Sequence, residues 1–191
     1  MRSRLAELTG GDPSDAGDVE LGNTSNNYMG DFFAKVDEAK LKQDEWHMQC
    51  ALHLASSAAA EGEVPVGAVL VASNGTVLSR AHNMVARSND PTAHAEVLAI
   101  QDAAKKLGTS RLDGATLIST LEPCPMCAGA ALSARISRVI FGAEDPKAGA
   151  LGSLYQLGSD PRLNHEFSVT PRVLQEECGA LISRFFSTKR D

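Results

Sequence analysis

Apolar residues recur along this chain with two different spacings. Met48, Ala51, Leu52, Ala55, Ala58 and Ala59 fall three to four apart and stop before Gly62. That period predicts an amphipathic helix over about 45–61. Val66-Gly67-Ala68-Val69-Leu70-Val71 is instead a short continuous apolar run, the pattern of a strand buried on both faces. Asn74-Gly75 predicts a hairpin turn, with 76–81 returning antiparallel. Asp90-Pro91 reads as a helix start, with Asp90 as N-cap and the proline in the first turn. That helix runs to about Leu107, stops at Gly108, and turns Val97, Ile100, Ala104 and Leu107 inward. Strands over 115–120 and 138–142 flank a helix from Cys124 to about Ala134. A weak helix near Leu154 and a strand over 166–170 follow. A closing helix over 171–188 carries Val173, Leu174, Cys178, Leu181, Ile182 and Phe185 on one face. Strands alternating with helices in this order predict a three-layer α/β/α domain, a five-stranded mixed sheet with helices on both faces.

Ahead of Asp44 the pattern lapses. Residues 1–43 are rich in Gly, Asp, Ser and Asn, and are expected to form an acidic N-terminal extension without stable structure. Phe32, Phe33 and Val36 could make one helical turn there. The single domain is placed at 44–191. The formal charge of −6 sits mostly in the extension. Residues 1–45 carry five basic and ten acidic side chains, and 46–191 carry 13 and 14. A nearly neutral body leaves room for a local basic patch, so nucleic acid is not excluded as a partner. A mean hydropathy of −0.14 and the lack of a long apolar run argue against a membrane span. No apolar leader segment is seen, so a cytoplasmic location is expected. In a reducing compartment Cys124-Pro125-Met126-Cys127 reads as a metal or redox motif, whereas Cys50 and Cys178 sit on apolar helix faces as buried thiols.

Candidate chemistry centres on that Cys-x-x-Cys. His94 and Glu96 lie two apart, which in a helix interior would point them to different sides. At a helix start both can fold over the open end. Cys124 and Cys127 open the next helix, and helices entered from neighbouring strands bring their N-termini to one edge of the sheet. His94, Cys124 and Cys127 would then hold Zn²⁺ with three protein ligands and leave one position for water. The metal would lower the pKa of that water toward neutrality, and Glu96 would act as general acid/base, a proton shuttle. Each residue alone has a plainer reading, as a redox pair, a capping residue or a partner of the helix dipole. Together, His-x-Glu followed by Pro-Cys-x-x-Cys is a known signature of zinc deaminases.

Longer runs carry a closer likeness. Glu63-Val64-Pro65-Val66-Gly67-Ala68-Val69-Leu70-Val71, 90–96, and Leu121-Glu122-Pro123-Cys124-Pro125-Met126-Cys127-Ala128-Gly129-Ala130 resemble the bacterial tRNA-specific adenosine deaminases, members of the cytidine/deoxycytidylate deaminase superfamily. So do 135–142, the loop at 147–153 and the ending Phe185-Phe186. The resemblance covers about 44–190. It implies a cytidine deaminase-like fold and one Zn²⁺ per subunit of a homodimer. The implied reaction is hydrolytic conversion of the wobble adenosine of a tRNA anticodon, in arginine tRNA, to inosine. It implies further that Asn83 holds the flipped base and that Asp145 lies near the ribose. Arg87, Lys147, Arg184, Lys189 and Arg190 are nominated for backbone phosphates. His47, His53, His82 and His165 have no ligand cluster around them. Departures from the family pattern are Pro125, Met84-Val85-Ala86 and the extension. The alternatives are a guanine or cytosine nucleobase deaminase, a zinc-stabilised RNA-binding subunit without catalysis, and a redox Cys-x-x-Cys protein.

Overall fold

The computed structural model describes residues 24–189, with side chains from Ala34 onward. The chain divides into two units, Met1–Glu38 and Ala39–Asp191. In the first, the described backbone is the opening of helix α1, which spans Thr24–Ala60. The expectation for the N-terminal extension therefore lies outside the described residues over 1–23, whereas 24–43 is helical rather than unstructured. No proline interrupts 24–43, and Ala, Lys, Glu and Leu dominate its second half, so nothing in the sequence stops the helix from starting early. Residues 34–43 are all exposed, and burial begins at Asp44.

In the second unit, five strands form one sheet. They are β1 (Gly67–Val71), β2 (Val77–His82), β3 (Thr116–Leu121), β4 (Arg138–Ala143) and β5 (Ser168–Thr170). The order is β2-β1-β3-β4-β5. β1 is antiparallel to β2 and β3, while β3, β4 and β5 run parallel. The expected mixed sheet is thus present. Gly75, at φ +85°, takes the turn between β1 and β2, and the Thr76 amide donates to Asn74 Oδ1 at 3.0 Å.

The uninterrupted apolar run of β1 is explained by its two covers. Ala68 and Leu70 face Ala95, Ala99 and Ala103 of α3 (Ala95–Leu107) and Ala128 and Ala131 of α4 (Pro125–Ser133). Val69 and Val71 face Met48 and Ala51 of α1 together with Cys178 of α5 (Gln175–Thr188). Small residues on α3 and α4 bring these helices close to the sheet. On the other face a Cβ at Gly67 would overlap the Ala51 carbonyl, so glycine lets α1 lie directly on β1. Arg138 of β4 clamps the same helix. Its guanidinium donates to Asp44 Oδ1 at 3.0 Å and Oδ2 at 2.7 Å, and to Thr170 Oγ1 of β5.

Three expected element boundaries shift. Asp90 does not cap the long helix. Its carboxylate accepts from the Thr92 amide and hydroxyl at 2.8 and 2.7 Å, closing a local turn, and α3 begins only at Ala95. Near Leu154 there is no helix. Leu151 bridges to Gln156, and one 3₁₀ turn follows at Leu157–Ser159. The closing helix starts at Gln175, because Arg172 and Leu174 hold left-handed backbone at φ +65° and +51° just before it.

Candidate active site

Cys124 and His94 occupy equivalent places. β3 ends at Leu121, and Cys124 is the N-cap of α4, with Pro125 opening the helix. His94 is the N-cap of α3, in extended backbone at φ −71° and ψ 147°. Neither side chain caps its own helix, so both are free to turn outward. Cys127, one turn into α4, is buried beneath them.

The three donors converge. His94 Nδ1 lies 3.8 Å from Cys124 Sγ and 3.5 Å from Cys127 Sγ, and the sulfurs are 3.7 Å apart. A tetrahedral zinc ion with ordinary bond lengths requires about 3.6 Å between N and S and about 3.8 Å between two sulfurs. The donor set fits zinc in spacing as well as chemistry. Among the described residues it is the one cluster of three or more His, Cys, Asp or Glu side chains placed to hold a metal.

Electrostatics agree with a metal site. The adjoining Cys127 thiol and His94 pull Cys124 down to about 4, which favours its thiolate form. The Cys127 thiol is pushed up, because it faces the Cys124 sulfur and is buried. The Cys124 sulfur raises His94. Metal binding would displace the remaining proton. Glu96, in the first turn of α3 and 4% exposed, is pushed up by burial. Its place at the cavity wall beside the three donors suits it to proton transfer.

These groups open into a cavity of about 460 Å³, walled by His94, Glu96 and Cys124 together with Asn83 and Asp145. All the residues singled out for the site lie at this cavity or directly behind it. Asn83 follows β2 and is buried, with Nδ2 donating to Glu63 Oε2 at 3.1 Å. Asp145 is less free than expected. Its Oδ1 accepts the Lys147 and Ala148 amides at 2.9 and 3.2 Å, holding its own loop.

Two buried glutamates were missed as site residues. Glu63 accepts from Asn83 and from the Ala86 and Arg87 amides of the short helix α2 (Val85–Ser88). Glu122 accepts from the Asp145, Leu151 and Ser153 amides and the Ser153 hydroxyl. Burial opposes the charge on Glu122, yet these donors outweigh it and hold the group below the usual carboxylate range. The available signal was a charged residue set against an apolar run, Glu63 before Val64-Pro65 and Glu122 after β3. Phe185, Phe186 and Lys189 also wall the cavity, with Lys189 Nζ 5.3 Å from the Phe185 ring centre. Of the other nominated cations, Arg87 pairs with Glu61 at 2.6 Å, and Arg190 lies outside the described residues. His165 Nε2 is 2.6 Å from the Ile136 carbonyl and His82 Nδ1 is 3.0 Å from the Asn83 carbonyl, and neither belongs to the metal-ligand cluster. All four cysteines are free of disulfides.

Comparison with known proteins places this geometry. Residues 41–143 match the cytidine and deoxycytidylate deaminase zinc-binding region. The tRNA-specific adenosine deaminase of Bacillus subtilis is 51% identical over 150 residues, 78% of this chain and 92% of the relative. A solved structure from a study of A-to-I editing by tRNA:A34 deaminases at the wobble position of transfer RNA superposes with a TM-score of 0.68. It is 44% identical, covering 71% of this chain and 97% of that one. A guanine deaminase from Nitrosomonas europaea superposes with a TM-score of 0.63 at 26% identity, covering 75% of this chain and 84% of that one.

Proposed function

The chain belongs to the cytidine and deoxycytidylate deaminase family, grouped with its tRNA-specific adenosine deaminases, and from that premise we propose that it hydrolyses adenosine to inosine at the wobble position of a tRNA anticodon. The observation that carries this reading is the His94, Cys124 and Cys127 triad at zinc spacing, with Glu96 buried beside it at the cavity wall. The activity is assigned to residues 44–191, with arginine tRNA as substrate and a homodimer in the cytoplasm as the working form. Among the described residues no helix is long and apolar enough to cross a membrane.

His94 Nδ1 and the two thiolates are the ligands we assign to the ion. Zinc bound there supplies a Lewis acid that makes water a nucleophile near neutral pH. The protein does the rest. Glu96 passes one proton of the attacking water to N1 as the oxygen adds at C6, then carries the hydroxyl proton to N6, so the C6–N6 bond breaks, ammonia leaves and C6=O remains. The target base has to leave its stack to reach donors placed in a cavity. Asn83 holds the base edge by its amide. Asp145 has one oxygen committed to its loop, so a ribose hydroxyl would use the other. Phe185 and Phe186 offer aromatic faces for neighbouring bases, and Lys189 a charge for phosphate.

The test is incubation of the zinc-loaded protein with an arginine tRNA anticodon stem-loop, beside free guanine and cytosine. Inosine at the wobble position is expected. Turnover of a free base without inosine in the RNA would favour the nucleobase deaminase reading, and no turnover at all would favour a non-catalytic RNA-binding subunit.

A further inference from the structure

We propose that Glu63 is a positioning residue of the base pocket, one that fixes which end of the Asn83 amide meets the substrate. The inference rests on the adenosine deaminase reading and deepens it. Glu63 is 3% exposed, and each of its oxygens is engaged. Oε1 accepts the Arg87 amide at 2.6 Å, while Oε2 accepts the Ala86 amide at 3.2 Å and Asn83 Nδ2 at 3.1 Å. A carboxylate can only accept hydrogen bonds, so Asn83 must turn its NH₂ group toward Glu63. Turning the amide over would set its carbonyl against a carboxylate inside a buried site, with no donor between them.

The other end of the amide follows from elimination. The side-chain oxygen of Asn83, Oδ1, has no hydrogen-bond partner among the described residues. Among the described residues the only fully buried side-chain oxygen or nitrogen lacking a partner is Ser119 Oγ. Asn83 Oδ1 is therefore open to the cavity that Asn83 lines. Glu63 takes one Nδ2 hydrogen and leaves Oδ1 as an acceptor with a fixed direction. The same carboxylate holds the α2 turn, so Val85 and Ala86 on the cavity wall are set from the same point. A base is then met by one pattern of donor and acceptor rather than two interchanging ones.

Glu63→Gln tests this, because its NH₂ group can face Asn83 and let the amide invert. The 3.2 Å contact from the Ala86 amide is lost, while the remaining oxygen still accepts the Arg87 amide at 2.6 Å and holds the α2 turn. The expected result is full zinc loading with kcat/KM on the anticodon stem-loop lowered on the order of 10- to 100-fold. Asn83→Ala is expected to fall by a similar factor, and the double variant no further than Asn83→Ala alone. A residue that only supports the α2 turn would lower the rate again in the Asn83→Ala background, and multiplied losses would overturn the proposal. Should Glu63→Gln fail to fold, the wild-type side-chain amide of Asn83 supplies a second measurement, assigned by its loss in Asn83→Ala. One of its two hydrogens is expected to exchange slowly with solvent, and equally fast exchange of both would overturn the proposal. A wild-type protein that makes no inosine would remove the functional reading itself, and this inference with it, an outcome distinct from multiplied losses in an active enzyme.

Discussion

Glu122 Oε1 accepts the Leu151 amide at 2.9 Å, joining the end of β3 to a loop that comes much later in the chain. The Asp145 and Ser153 amides and the Ser153 hydroxyl reach the same carboxylate. A Cβ at Gly149 would overlap it, so the loop wraps the charge closely. Cys124 lies two residues beyond Glu122, while Asp145 and Ala148 of the loop face the cavity. One side chain thus links the segment that carries Cys124 to a wall of the cavity. Glu122→Ala leaves several partly buried donors without an acceptor and is expected to cost about 3 kcal/mol in urea unfolding. Its stem-loop KM should rise more than its kcat falls. A variant with wild-type stability would show that the loop holds itself.

Glu96 faces the cavity from the first turn of α3 and lies outside the His94, Cys124 and Cys127 cluster. Glu96→Ala is expected to keep one zinc per chain by metal analysis and to lose a factor of about 10²–10⁴ in turnover. Normal rates in this variant would rule out the proton-transfer role.

Cys124 is half-exposed and close to both other donors. Cys124→Ala leaves one sulfur and one imidazole, too few to hold zinc against dilution, and the purified variant should contain little metal. Chelation of the wild-type protein should abolish inosine formation, and added Zn²⁺ should restore it. Full zinc content in Cys124→Ala would remove this cysteine from the ligand set.

His47 gives a pH dependence that is separate from catalysis. It lies on α1 and is 4% exposed, and burial lowers its pKa against the opposing pull of Asp44. Below about 6.5 the unfolded chain takes up a proton that the folded chain refuses. Stability should therefore fall as pH drops from about 6.5 to the lowered folded value, and level off beyond it. His47→Gln should flatten this segment of a urea-midpoint series between pH 5 and 8. An unchanged slope would assign the effect to other groups.

Much of this was legible along the chain, for reasons that differ between residues. Met48, Ala51, Ala55 and Ala58 announced their helix because burial follows the 3.6-residue period, and 67–71 announced a two-sided strand because no position in it could tolerate water. The candidate metal cluster was legible because a metal requires particular donor atoms at short spacing, and His94 and Cys124 sit at helix starts that turns and prolines mark. The start of α1 was misread because residues 34–43 are exposed and show no apolar period, although their helix propensity was available to read.

The sequence by itself determined the order of elements, the metal chemistry and the family, since each depends on local period, residue type or contiguous motif. The tertiary structure decided what Glu63, Glu122 and Asp145 do. Their roles depend on which backbone amides arrive beside them from twenty or more residues away, or, for Asp145, on how its own loop closes. A glutamate reads as a surface charge until the fold removes water and supplies donors in its place. Only the packed sheet and its loops could supply them.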